Sequence, residues 1–125
     1  MTSSHSSGPA THVMSQAKHF GAYGFGGADG YSADISEQSL YERYFFPWLR
    51  YATEGGRGAM ASHNSINYEP VHGSHRWMTE VLRNQLGFGE GFIGADSHNV
   101  LALVTSQHVA NSTADAAVLA VEAGQ

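Results

Sequence analysis

The sequence predicts an α/β fold, a partial TIM-like (β/α) barrel of about three consecutive βα units. Three observations predict it. First, a short apolar run, a glycine-rich or polar loop and a stretch with helical spacing follow one another three times within 125 residues. Such alternation implies parallel strands joined by crossover helices. Second, the strand-like runs are rich in small residues and carry little charge, as expected where both faces of a sheet are covered. Third, apolar residues make up 42% of the chain and charged residues only 14%, so there is material for one buried core.

The elements follow in order. Residues 1–11, MTSSHSSGPAT, offer too little apolar surface to offset ordering entropy and are expected to form a disordered leader, leaving 12–125 as the domain. HVMSQAKHF reads as the first strand. The loop after it, GAYGFGGADGYSAD, holds five glycines in fourteen residues. Ser36 suits an N-cap and Glu37 the first turn of the helix it opens. Leu40, Tyr44 and Trp48 then share one helical face. Pro47 should kink or split that helix, and Gly55-Gly56 should end it. In the second unit GAMASHN is the strand, and Asn67, Pro70 and Gly73 mark a loop. Ser74 caps the helix HRWMTEVLRNQLG, in which Trp77, Val81 and Leu82 form the buried stripe and Gly87 the stop. The third unit opens with GFIGADSHN. Two helices, NVLALVTSQHVA and TADAAVLAVEAG, follow it, the second with Thr113 as N-cap and with alanines that favour a helix.

Composition excludes several functions. Six Lys and Arg stand against eleven Asp and Glu, a net charge of −5, and no basic run occurs, so nucleic acid is not an expected partner. Cysteine is absent, which removes disulfides and thiolate chemistry. No apolar run approaches the roughly 20 residues a membrane-spanning helix needs, and no secretory h-region is visible, so the sequence names no compartment.

In parallel α/β folds the chemistry gathers at the C-terminal ends of the strands. Those ends read Lys18-His19, Ser62-His63-Asn64 and Asp96-Ser97-His98. One rim is therefore expected to collect a cation, imidazoles, an amide and a carboxylate. Each residue alone has a plainer reading. An Asp at a strand end is commonly a turn residue, and Lys-His is commonly a solvated pair. His72 and His75 have H-x-x-H spacing but no third ligand at matching spacing, so no metal or other cofactor is expected. GFGGADG lacks the lysine of a phosphate cradle. Tyr44, Phe45, Phe46 and Trp48 read as core, and Arg83 as a helix-end cation beside carbonyls.

Four blocks, AKHFGAYG, GGADGYSADISEQSL, PWLRYATEGGRGAMASHNSIN and TEVLRNQLGFGEGFIGADS, resemble in order and spacing the successive motifs of a glycoside hydrolase family 3 N-terminal domain. The resemblance spans residues 13–124. It implies that Asp96 is the nucleophile of a retaining, β-glucosidase-like exo-glycosidase and that Lys18 and His19 hold sugar hydroxyls. Asp29 matches the GG-x-D position of a further substrate-binding residue. His63, also expected to bind substrate, stands where the family carries an aromatic, and Ala95 stands where it carries Ser. The implied partner is a β-glucoside or related oligosaccharide, and KHFGAYG is closer to that branch than to the N-acetylhexosaminidase branch. A β-xylosidase, another exo-acting β-glycosidase and a non-catalytic sugar-binding remnant remain open.

A retaining glycosidase also needs a second carboxyl roughly 5–5.5 Å away to protonate the leaving oxygen. The resemblance places that acid in a downstream region; Asp29, Asp34, Glu69 and Glu90 are the local alternatives. About three of eight barrel units are expected here, so the remainder of the barrel and a C-terminal domain are implied partners. The isolated chain is expected to leave aryl glucosides intact, and to aggregate or need those partners.

Overall fold

The computed structural model describes residues 13–25 and 31–125; the expected leader and Asp29 lie outside them. Six strands form among the described residues: β1 (Gln16–Phe20), β2 (Ser32–Ala33), β3 (Gly58–Ala61), β4 (Ser65–Ile66), β5 (Glu69–Pro70) and β6 (Phe92–Gly94). The main sheet is parallel, in the order β1-β3-β6. Its rungs run straight across: Gln16, Gly58 and Phe92 share one, and Lys18, Met60 and Gly94 another. The ladder then skips His19, pairing Phe20 with Ala61, and the Lys18–His19 peptide is cis. Small residues let the strands sit close, since a Cβ on Gly58 would lie 2.4 Å from the Ser15 carbonyl oxygen.

Helical segments fill both crossovers. The first comprises α1 (Glu37–Ser39), a π-helical stretch, π1 (Leu40–Phe45), and α2 (Phe46–Thr53). Ser36 Oγ accepts the Ser39 N–H at 3.3 Å, the expected cap. Pro47 does not split the helix: Phe45 and Phe46 are both helical, and Pro47 falls in the first turn of α2, where π1 gives way to α-helix. The second crossover carries π2 (Arg76–Gln85), with Ser74 Oγ accepting the Trp77 N–H at 3.1 Å. After β6 come α3 (Asn99–Thr105) and α4 (Thr113–Ala123).

The core lies between the main sheet and the helices. Phe20 stacks on Phe45 at 5.5 Å and meets the edge of Trp48 at 5.3 Å. Trp77, Val81 and Leu82 are buried, as their spacing predicted. Arg83 donates to the carbonyls of Gly89 (2.6 Å), Gly91 (2.8 Å) and Gly124 (2.6 Å), tying the end of π2 to the approach to β6 and to the end of α4.

Four further expectations need correction. Phe46 is 54% exposed rather than core, because the helix turns it away from the face that buries Phe45. The cap of α4 is Ser112, one residue before Thr113: Ser112 is extended and its Oγ takes the Asp115 N–H at 3.1 Å. The glycine-rich loop contains a 3-10 turn (Tyr23–Phe25) and β2. The loop around Asn67 is a hairpin, β4–β5, which pairs with β2 in a second small sheet. Asn67 and Tyr68 both have positive φ, 48° and 69°, as a two-residue hairpin turn matching strand twist requires.

Candidate active site

The main sheet brings three side chains to its C-terminal rim. His19 comes from the register break in β1, His63 from two residues past β3, and Asp96 from two residues past β6. The Asp96 carboxylate is their meeting point. Its Oδ2 lies 2.9 Å from His19 Nε2 and 3.5 Å from His63 Nε2. Its Oδ1 accepts the Ser97 N–H at 2.7 Å. A carboxylate only accepts, so these contacts fix its orientation and stabilise its charge. The group keeps partial access, at 17% side-chain exposure against 8% for His63.

Side chains also hold the backbone behind this cluster. Carbonyls just past a parallel ladder have lost their strand partners and need other donors. Asn64 Nδ2 donates to the Gly21 carbonyl at 2.7 Å, and Gln107 Nε2 to that of His63 at 2.8 Å. Asn99 Nδ2 lies 3.4 Å from the Ala61 carbonyl, and His72 Nδ1 lies 3.1 Å from that of Ser62. Gly21 admits no side chain: its φ is +120°, and a Cβ would lie 2.5 Å from Ser62 Oγ. The rim is thus a braced framework, which a directed carboxylate requires.

Beside His19 opens a groove of about 430 Å³, lined by Lys18, His19, Tyr23, Arg43, Tyr44 and Trp48 among others. The Tyr23 ring sits 4.6 Å from that of His19. Lys18 belongs to the groove wall and not to the carboxylate cluster. No hydrogen bond or ion pair joins Lys18 to Asp96, whose contacts are instead two imidazoles and a backbone N–H.

The other local carboxyls are engaged elsewhere. Asp34 accepts from Ser32 Oγ and from the Tyr68 hydroxyl, both at 2.9 Å. The Asp34 hydrogen bond, together with its negative charge, holds the Tyr68 pKa above the usual tyrosine value. Glu69 is bonded by Ser74 Oγ, and Glu90 is exposed. The two histidines of the H-x-x-H pair diverge: His72 is buried, whereas His75 is exposed and lies 3.6 Å from Glu80. Among the described residues no three His, Cys, Asp or Glu gather into a possible metal site, and no helix is long and apolar enough to cross a membrane.

Sequence reasoning passed over Asn99, Gln107, Tyr23 and Arg43. The two amides sit on elements far along the chain and leave no local pattern. Arg43 did leave one, as the cation within the aromatic run YERYFFPW.

Known proteins resemble this chain in sequence and in fold. The glycosyl hydrolase family 3 N terminal domain matches residues 2–125. A beta-xylosidase from Formosa agariphila is 36% identical over 116 residues, which is 90% of this chain and 16% of that protein. The lysosomal beta glucosidase of Dictyostelium discoideum is 36% identical over 119 residues, 92% of this chain and 14% of that protein. Among solved structures, a β-glucosidase from Erythrobacter marinus matches with a TM-score of 0.83 at 31% identity, covering 93% of this chain and 16% of that one. The chain therefore spans about one-sixth of the length of its relatives.

Proposed function

The chain belongs to the glycosyl hydrolase family 3 N-terminal domain family, and from that premise we propose that it carries the nucleophile side of a retaining β-glycosidase site. The observation that carries the reading is the shared grip of His19 and His63 on Asp96 at the rim of a parallel sheet. In this reading the Asp96 carboxylate attacks the anomeric carbon. The bond to the leaving oxygen breaks, a second carboxyl protonates that oxygen, and water then hydrolyses the glycosyl ester. His19 and His63 orient the carboxylate. Buried against Asp96, His63 is a positioning residue more than a sugar contact. Lys18 and Asp29 hold sugar hydroxyls, Lys18 from the groove wall.

We read the three βα units as a segment of a (β/α) barrel, which the sequential neighbour order β1-β3-β6 supports. The substrate class is a β-glucoside or related oligosaccharide. A β-xyloside is the second reading, favoured by the similarity to the Formosa agariphila protein.

The described carboxyls beside Asp96 supply no second acid, so the 125-residue polypeptide should leave ordinary aryl β-glucosides intact, as a chromogenic assay would record. Nucleophilic attack alone is still testable. A β-glucoside with a dinitrophenolate leaving group needs no acid, and fluorine in place of the hydroxyl beside the anomeric carbon stops the reaction at the ester. Mass spectrometry of the treated protein should locate the fluorosugar on the peptide containing Asp96, and Asp96→Asn should abolish it. Labelling of another carboxyl, or none at all, refutes the assignment.

A further inference from the structure

The groove beside His19 carries two cationic side chains, Lys18 and Arg43, and among the described residues no carboxylate lines it. The chain as a whole is negative, at −5, so a cationic wall here is local placement and not a reflection of composition. Arg43 makes no hydrogen bond, ion pair or ring contact among the described residues. One carboxylate, Asp34, lines an adjoining cavity together with it. That carboxylate is already taken by Ser32 and Tyr68.

A guanidinium presents a planar fork of donors and no acceptor. Its matching ligand is a planar pair of oxygens, which a carboxylate supplies and a neutral sugar hydroxyl does not. The groove's volume, about 430 Å³, suits a small ligand, and its Tyr23, Tyr44 and Trp48 offer apolar surface for a pyranose ring. The long-range repulsion from a net negative chain is screened within about 8–10 Å at physiological salt, whereas an Arg–carboxylate contact acts at touching distance.

We propose that this groove takes a glycoside bearing a carboxylate, a β-uronoside, with Arg43 as the partner of its acid group and Lys18 on its hydroxyls. The proposal rests on the glycosidase reading above and adds the charge of the sugar it accepts.

The test is a chemical-shift titration of the nitrogen-labelled chain with methyl β-glucoside and with methyl β-glucuronoside. The uronoside should bind roughly fivefold tighter, the scale expected of partly exposed ion pairs. That preference should shrink as salt rises. Arg43→Gln, at an exposed helix position, should bring uronoside affinity down to that for the glucoside, while Arg43→Lys should retain part of the preference. Equal affinities in the parent chain, or a preference that survives Arg43→Gln, overturn the proposal while leaving the glycosidase reading intact. Binding of neither sugar overturns both.

Discussion

Asp96 gathers its partners from three strand ends that are distant in sequence. His19 and His63 both address Oδ2, and the Ser97 N–H addresses Oδ1. The carboxylate is thus oriented by two imidazoles and a backbone N–H, with Lys18 kept for the groove. Removing the nearer imidazole should leave the fold in place, since His19 is partly exposed, but loosen the Asp96 carboxylate. His19→Ala should slow fluorosugar labelling at least tenfold, about 1.4 kcal/mol of orientation at the sheet's rim; an unchanged labelling rate would deny His19 that role. Tyr68 gives a prediction in pH. Its folded pKa is raised by the Asp34 bond, so the fold favours the neutral phenol. The stabilisation is complete below the ordinary tyrosine value of 10.0 and is lost as pH climbs through the higher folded value. Ultraviolet titration should show a tyrosine ionising late, and Tyr68→Phe should remove that component.

At the scale of elements, side chains fasten the ends of strands and helices. Arg83 links three carbonyls from separate segments, at Gly89, Gly91 and Gly124. Arg83→Met would keep much of the aliphatic stem and leave those acceptors without their charged donor. It should cost about 2 kcal/mol or more, read as a lower urea midpoint at unchanged slope. Ser112→Ala removes one cap bond from α4 and should cost about 1 kcal/mol by the same measurement, with Thr113→Ala costing less. Helix caps and stops were legible because their chemistry is local: Ser36, Ser74 and Gly87 each do what their type allows. Ser112 was displaced by one residue because Ser-Thr offers two adjacent caps and only the backbone of the extended residue fits.

On the scale of the whole molecule, the described main sheet has a free edge on β1 and another on β6, with Phe92 of β6 57% exposed. An apolar open edge invites further strand pairing. The chain should therefore self-associate as concentration rises, and Phe92→Lys should raise the monomer fraction in sedimentation velocity. A concentration-independent monomer in the parent chain would remove that edge from consideration.

Local pattern determined the alternation of strands and helices, the buried stripe of Trp77, Val81 and Leu82, the family, and the three strand-end clusters. These follow from period, capping and residue type, which act over a few positions. The tertiary structure decided that His19 and His63, and not Lys18, meet Asp96, and that Asn64, Asn99 and Gln107 brace the rim behind them. It also turned Arg43 toward the groove. Such pairings depend on register and crossover packing, which bring residues dozens of positions apart within hydrogen-bonding distance, and spacing along a chain carries no record of that approach.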